Sequence, residues 1–236
     1  MQLNLAPIHC VRTKPAPNTA DADCIAYCAN TGFPYLCKSA KSQPKLPARE
    51  WICTHLANAC GLPVADCAPV TIEGRDDILF GSRWEGGTVD PTVGYTIVAN
   101  PHIFSKALSF DFATQNGDRH LNNYLYQDVE GEILLRLIDF SRALNFEGWP
   151  PPPLPMDSNT NTCRSFTTWS MNYPFLKNDA ESIIKNWTQL PNTLMDSIFQ
   201  TMPIEWMDQA ERDTLADWWK SQDRIDRGIE VGKYLP

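Results

Sequence analysis

The patterning of apolar residues changes type once along this chain, at Gly86 and Gly87, and that change limits the folds open to it. Upstream, short apolar runs between turn residues predict the order β-β-β-helix-β-β over the first 84 residues. Downstream, apolar residues recur mostly at helical spacing. The sequence therefore predicts an α+β protein, with a small antiparallel sheet and one helix in residues 1–85 and a mainly helical part in residues 86–236.

Boundary signals support the individual elements of the first part. Strands are expected over 24–29 and 33–39, on either side of the turn tripeptide Asn30-Thr31-Gly32. A helix is expected over 48–60, because apolar residues recur there at helical spacing and Gly61 follows as a stop signal. Two further strands, over 67–72 and 78–84, complete the predicted sheet.

The second part contains one hairpin among its predicted helices. Asn100 and Pro101 are expected to start a helix whose apolar stripe runs to Phe112. The hairpin is expected around Gly131, and the run of prolines from Pro150 to Pro153 is interpreted as a rigid surface loop or, alternatively, a ligand for a partner domain. Later helices are predicted over 179–189, 192–201, 204–220 and 221–228, packed together by Trp187, Trp206, Trp218 and Trp219.

Composition narrows the choice of partners and compartment. Hydrophobic residues make up 43% of the chain and charged residues 20%, which is an ordinary globular balance. A net charge of −8 argues against direct binding of nucleic acid, although a compact cleft for ATP remains compatible with it. The sequence has no apolar run of about 18 residues and no evident signal peptide, so we expect no membrane contact and a cytoplasmic protein.

The cysteines are expected to be reduced thiols. The sequence has no C-x-x-C pairs and no histidines spaced for zinc, and nothing in it indicates an oxidising compartment. The eight are Cys10, Cys24, Cys28, Cys37, Cys53, Cys60, Cys67 and Cys163.

The residues with the clearest chemical meaning lie in two motifs, 116–126 and 136–144. Asp118 and Asn123 lie in a polar loop, and Asp139 ends an apolar strand that the predicted hairpin returns to the side of Asn123. Phosphoryl transfer needs a carboxylate to orient the attacking hydroxyl, and a carboxamide with a second carboxylate to hold Mg²⁺. Oxygen ligands of this kind suit Mg²⁺ or Mn²⁺ rather than zinc.

The sequence from Gly117 through Asp118, Arg119 and His120 to Asn123, together with Ile138-Asp139-Phe140, resembles the short HipA-like kinases. Phosphatidylinositol kinases carry a similar arrangement. The resemblance covers roughly residues 8–145 and implies a two-lobed protein-kinase-like fold, with residues 1–85 as the N-lobe and 86–236 as the C-lobe. It also implies an ATP- and Mg²⁺-dependent kinase that transfers the γ-phosphate, most simply to Ser or Thr of a protein.

The resemblance assigns expected roles to several residues. Asp118 would accept the proton of the attacking hydroxyl, Asn123 and Asp139 would hold the metal, and Lys38 would hold the α- and β-phosphates. Glu50, expected in the first turn of its helix, is either the partner of Lys38 or an acid that favours the helix dipole.

Five further residues have open roles. The backbone of Ser82, Arg83 and Trp84 would bind adenine between the lobes, although Trp84 is equally compatible with a core position. His120 is either a structural residue or a phosphate contact, and Arg119 pairs with an acid, with a phosphate or at the surface.

Departures from the kinase pattern leave other functions open. The chain has no G-x-G-x-x-G loop, so the phosphates would be covered by residues 13–23 or by the Asn30-Thr31-Gly32 turn, and Ser141 stands where the pattern has glycine. One alternative is a catalytically silent nucleotide-binding or interaction module, and another is a nucleotidyl transferase or a small-molecule kinase. Members of this family also include toxins with a small antitoxin, so an antitoxin-like partner is a further expectation.

Overall fold

The computed structural model describes residues 6–16, 21–41, 43–84, 88–145, 154 and 158–236. The expected hinge at Gly86-Gly87 and the proline run from Pro150 to Pro153 lie outside the described residues, as does part of the 13–23 segment.

The first part of the chain has the predicted order of elements. It contains β1 (Ile8–Pro15), β2 (Cys24–Cys28), β3 (Pro34–Lys38), α1 (Leu46–Ala59), β4 (Cys67–Ile72) and β5 (Leu79–Arg83). The strands close into a barrel in the order β1-β2-β3-β5-β4.

One pairing in the barrel differs from the prediction. Four neighbouring pairs are antiparallel, but β1 pairs with β4 in parallel, so the expectation of a purely antiparallel sheet is wrong there. Parallel neighbours need a crossover connection, and the stretch that contains α1 provides it.

The barrel encloses its own small core. Its members include Cys10, Ala26, Cys37 and Ala68, whose short side chains suit the narrow interior of five strands. At Gly81 of β5 an added Cβ would overlap the side chain of Val70, so the close approach of β4 and β5 requires glycine. All eight cysteines of the chain are free thiols.

Helix α1 belongs mainly to a second, larger core. Its apolar side chains, among them Trp51, Ile52 and Leu56, cluster with residues of the helical part rather than with the barrel interior. The Trp51 indole donates a hydrogen bond to the carbonyl of Ile198, at 3.3 Å. Helix α1 therefore joins the strands to the helices.

The second part is mainly helical, with one hairpin. The hairpin lies where it was predicted, and the four tryptophans expected in the helical core are buried. The elements are α2 (Pro91–Gly94), α3 (His102–Ala113), β6 (Tyr124–Val129), β7 (Glu132–Leu137), α4 (Asn161–Trp169), α5 (Lys177–Gln189), α6 (Leu194–Thr201), α7 (Gln209–Lys220) and α8 (Gln222–Tyr234).

The structure differs from the prediction at several points in the helical part. The helix predicted over 204–220 is a short 3-10 turn followed by α7, whose first turn is capped by the Asp208 carboxylate. Helix α3 begins after Pro101, and the Asn100 side chain instead bonds to the backbone of Leu135 in β7. Helix α4 was not predicted. No helix among the described residues is long and apolar enough to cross a membrane.

Candidate active site

The hairpin of β6 and β7 brings the two sequence motifs together. Tyr124 pairs with Leu137 across the hairpin, and the amide of Ile138 donates to the carbonyl of Asn123, at 3.2 Å. Asp139 follows directly. The loop that carries Asn123 and the strand end that carries Asp139 are therefore neighbours, as the sequence predicted.

A buried arginine, Arg119, holds the loop that carries Asp118 and Asn123 against α3. The Arg119 guanidinium forms an ion pair with Asp111 of α3, with Nε at 2.9 Å from Oδ2 and Nη2 at 3.1 Å from Oδ1. Its Nη1 donates to the carbonyls of Asn123 and Ile138. Of the three open roles of Arg119, the structure has the pairing with an acid; because the residue is 2% exposed, the surface ion pair and the phosphate contact are wrong. The residue connects α3, the loop and the end of β7.

Lys38 joins the barrel to both sides of the site. Its Nζ lies 2.5 Å from Glu50 Oε1 and 2.9 Å from Asp139 Oδ1. The second carboxylate oxygen of Glu50 accepts a hydrogen bond from the amide of Phe140, at 2.9 Å. Of the two open interpretations of Glu50, the first is therefore the one that the structure supports: Glu50 is the partner of Lys38. Glu50 lies in the second turn of α1, because the helix begins at Leu46, and its predicted place in the first turn is wrong.

The three groups influence one another's protonation. Burial raises the pKa of Glu50 to about 7, since Lys38 offsets only part of the desolvation and Asp139 adds repulsion. Burial also opposes ionisation of Asp139, but Lys38 and Ser141 outweigh it and hold its pKa below the usual range. The two carboxylates together outweigh desolvation at Lys38 and keep its pKa above the ordinary value. The ammonium thus stays charged at neutral pH.

Asp139 has a backbone conformation that is uncommon outside glycine. Its φ is 62°, in the left-handed region, where a non-glycine residue costs free energy. The Ser141 hydroxyl and amide lie 2.8 and 3.3 Å from Asp139 Oδ1, and the same hydroxyl lies 3.0 Å from a carboxylate oxygen of Asp21. Conformational strain of this kind clusters at functional sites.

Helix α4 positions Asp118. The side-chain amide of Asn161 donates to Asp118 Oδ1 at 2.6 Å, and the side-chain amide of Asn123 donates to the backbone carbonyl of Asp118 at 2.9 Å. Asn161 was missed because α4 was missed. The apolar spacing of Cys163, Phe166 and Trp169 was the available signal for that helix.

Lys38, Glu50, Asp118, Asn123 and Asp139 all line one cavity of about 400 Å³. Its wall is apolar on one side, with Leu36, Phe80 and Ile138 among its members. Asp21 and Arg142 also line the cavity; neither was predicted individually, although Asp21 lies in the 13–23 segment expected to cover the phosphates and Arg142 in the 136–144 motif. The nine predicted site residues all line the cavity: Lys38, Glu50, Ser82, Arg83, Trp84, Asp118, His120, Asn123 and Asp139.

The predicted adenine contacts are only partly available. The amide of Arg83 donates to the carbonyl of Asp66 at 2.7 Å, and that of Trp84 donates to the carbonyl of Pro34 at 2.9 Å. These two N–H groups are therefore not free to bind a base, which corrects the expectation for them. His120 makes no side-chain hydrogen bond to any described residue.

The oxygen donors of the site fit a hard divalent cation. Asn123 uses its amide nitrogen on the Asp118 carbonyl, so its side-chain oxygen is left toward the cavity that also contains Asp139. Among the described residues there is no cluster of three or more His, Cys, Asp or Glu side chains suited to a metal. A cation held by Asn123 and Asp139 would therefore need further oxygens from a bound nucleotide, as Mg²⁺ commonly does.

Comparison with known proteins identifies the fold. No family model and no curated protein matches the sequence. The structure is similar to that of the proinflammatory kinase CtkA of Helicobacter pylori, with 17% identity, a TM-score of 0.53, and coverage of 95% of this chain and 99% of that one.

A second solved structure has a similar fold. It is HipA of the Shewanella oneidensis MR-1 toxin–antitoxin system, in complex with HipB and operator DNA, with 13% identity and a TM-score of 0.51. The match covers 90% of this chain but 59% of the HipA chain, so this chain spans less than two thirds of that protein. The chain thus has a HipA-like kinase fold, as the two motifs predicted. At these identities the likeness establishes the fold and not the activity.

Proposed function

We propose that this protein is an ATP- and Mg²⁺-dependent kinase that transfers the γ-phosphate of ATP to Ser or Thr of a protein. The observation that supports the proposal most strongly is the contact of Lys38 with both Glu50 and Asp139, in the cavity that also contains Asp118 and Asn123. These are the side-chain types that phosphoryl transfer requires.

The geometry suggests a division of work. Lys38, held by Glu50, would bind the phosphates of ATP, and Asp139 and Asn123 would hold the metal. Bound Mg²⁺ supplies neutralisation of the phosphate charge. Asp118 would orient the acceptor hydroxyl, since Asn161 fixes one of its carboxylate oxygens and leaves the other for the hydroxyl proton.

The chemical step is a single displacement. The acceptor oxygen forms a bond to the γ-phosphorus while the bond from that phosphorus to the β–γ bridging oxygen breaks. The hydroxyl proton goes to Asp118, and ADP leaves. Arg119 does not take part directly, because its guanidinium is buried against Asp111; it positions the loop.

Three other functions could use the same cavity, and the label that is transferred, and to what, distinguishes each of them from the proposed kinase. A silent nucleotide-binding module would bind Mg-ATP without turnover, and the complete set of Lys38, Asp118, Asn123 and Asp139 argues against it. A nucleotidyl transferase would move the α-phosphate. A small-molecule kinase would move the γ-phosphate without labelling protein.

The proposal is tested with ATP labelled at either the α- or the γ-phosphate, incubated with Mg²⁺ and cell lysate. Transfer of the γ-label to protein, lost in Asp118→Asn and Asp139→Asn, is the expected result. Transfer of the α-label, or no transfer by protein that binds Mg-ATP, would contradict it. Acid hydrolysis of the labelled protein identifies phosphoserine or phosphothreonine.

An antitoxin-like partner is a separate proposal. It is supported by the HipA structure, which contains HipB. Size-exclusion chromatography of the tagged chain purified from its native cells tests it, and a small DNA-binding protein in a stable complex is the expected result. A chain recovered alone at its monomer mass would contradict it.

A further inference from the structure

A second cavity adjoins the candidate active site. It has a volume of about 420 Å³ and lies between the loop after α3 and helix α4. His120 and Asn122 line both cavities, so the two meet at the loop that carries Asp118. We call this second cavity the α4 groove. Its lining residues are His120, Leu121, Asn122, Asn161, Arg164, Ser165 and Thr168.

Helix α4 presents one polar face to this groove. Asn161, Arg164, Ser165 and Thr168 are three, four and seven residues apart, which places them along one side of the helix. Trp169, by contrast, packs in the large core. One wall of the groove is therefore the polar face of a regular helix.

Several donors in the α4 groove have no hydrogen-bond or ion-pair partner among the described residues. The guanidinium of Arg164 and the imidazole of His120 make no hydrogen bond or ion pair with any described residue. Ser165 is only 6% exposed, and its hydroxyl has no hydrogen-bond partner among the described residues. A buried hydroxyl without a partner costs free energy, and a ligand would recover that cost by accepting its hydrogen bond once the side chain rotates toward the groove.

The charge of these donors indicates the kind of ligand. A guanidinium, an imidazole and a hydroxyl together complement a carboxylate, which accepts several hydrogen bonds at once. The chain as a whole has a net charge of −8, so an unpaired guanidinium beside the site is not part of a general basic surface.

We propose that the α4 groove binds the acceptor peptide, and that Arg164 and Ser165 select an acidic side chain close to the residue that receives the phosphate. The proposal rests on the proposed kinase function and names its substrate class. Asn161, which holds Asp118, and Arg164 are three residues apart on α4, about 4.5 Å along the helix axis. An extended peptide advances about 3.3 Å per residue, so the acidic residue lies within about three positions of the acceptor hydroxyl.

The test measures peptide binding directly, so that it does not depend on turnover. Fluorescent peptides with a single serine carry Asp and Glu at the three positions on either side, and matched peptides carry Asn and Gln instead. Anisotropy is measured with Mg²⁺ and a non-hydrolysable ATP analogue. We expect the acidic set to bind about tenfold more tightly than the amide set, the size of one charge-assisted contact.

Variants assign the preference to the groove. Arg164→Ala is expected to abolish the difference between the two peptide sets, Arg164→Lys to retain part of it, and Ser165→Ala to weaken acidic peptides a few-fold. Lys185→Ala removes an exposed positive charge on α5 and serves as the matched control, with the preference unchanged. Thermal unfolding of each variant verifies that it is folded.

Each outcome decides the proposal. Equal binding of acidic and amide peptides, or a preference that survives in Arg164→Ala, overturns it. Binding of inorganic phosphate in the groove, without any preference for acidic over amide peptides, also overturns the proposal. A peptide preference without γ-phosphate transfer leaves the α4 groove in place and refutes the kinase, whereas transfer without preference refutes the groove alone.

Discussion

Removing Arg119 should destabilise the protein far more than removing an exposed ion pair. Arg119→Met leaves the Asp111 carboxylate buried without its cation, and it removes a guanidinium donor from the carbonyls of Asn123 and Ile138, of which that of Asn123 keeps the amide of Ile138 as a donor. Both side chains of the pair are at most 2% exposed. Breaking a buried pair from one side costs about 3–5 kcal/mol.

Urea denaturation followed by tryptophan fluorescence measures the free energy of unfolding. The surface pair of Lys220 and Asp196, with both side chains 43% exposed, provides the control, and Lys220→Met should cost less than about 1 kcal/mol. If Arg119→Met does not fold, the double variant Arg119→Met with Asp111→Leu still tests the reasoning, because it removes both charges and should recover much of the loss. A cost below about 1 kcal/mol for Arg119→Met would refute the assignment of a buried anchor.

Three further predictions concern ligand binding, turnover and pH. Lys38→Ala should weaken Mg-ATP binding in calorimetry, because the positive charge that would bind the phosphates is lost. Unchanged affinity would mean that Lys38 has only a structural role. Asp118→Asn should bind Mg-ATP nearly as wild type while γ-phosphate transfer falls by about 10² or more, whereas Asp139→Asn should lose both, and equal effects of the two changes would contradict their separate roles. Burial lowers the pKa of His55 to about 4, so its contribution to stability is present above its unfolded pKa of about 6.5 and is lost as pH falls toward 4. The free energy of unfolding should therefore fall by about 2 kcal/mol more between pH 7 and 5 in wild type than in His55→Phe, and parallel pH profiles would contradict this.

The parts of the site that lie close in sequence were the predictable ones. Asp139 could be placed beside Asn123 because two short apolar runs around Gly131 predict a hairpin, and a hairpin fixes which residues face each other. Lys38 and Glu50 were predictable only through the family resemblance, since nothing local to either residue shows that their side chains meet.

Other contacts had no signal in the local sequence. The ion pair of Arg119 with Asp111 depends on how the loop folds back onto α3, and residue spacing alone does not reveal that. The parallel pairing of β1 with β4 depends on barrel closure, which links strands far apart along the chain. The backbone amides of Arg83 and Trp84 donate to the carbonyls of Asp66 and Pro34, and the residue pattern of a single strand cannot show such hydrogen bonds.

The division of the interior into two cores has a consequence for cooperativity. Lys38 ends a strand of the barrel, whose core is separate, while Glu50 stands on α1, which shares its core with the helices. The two residues meet through an ion pair, with Lys38 Nζ 2.5 Å from Glu50 Oε1, that joins the strand to the helix. Partial opening of the barrel would separate Lys38 from Glu50 while Glu50 keeps its bond to Phe140. A nucleotide whose phosphates bind Lys38 should therefore slow hydrogen exchange in β3.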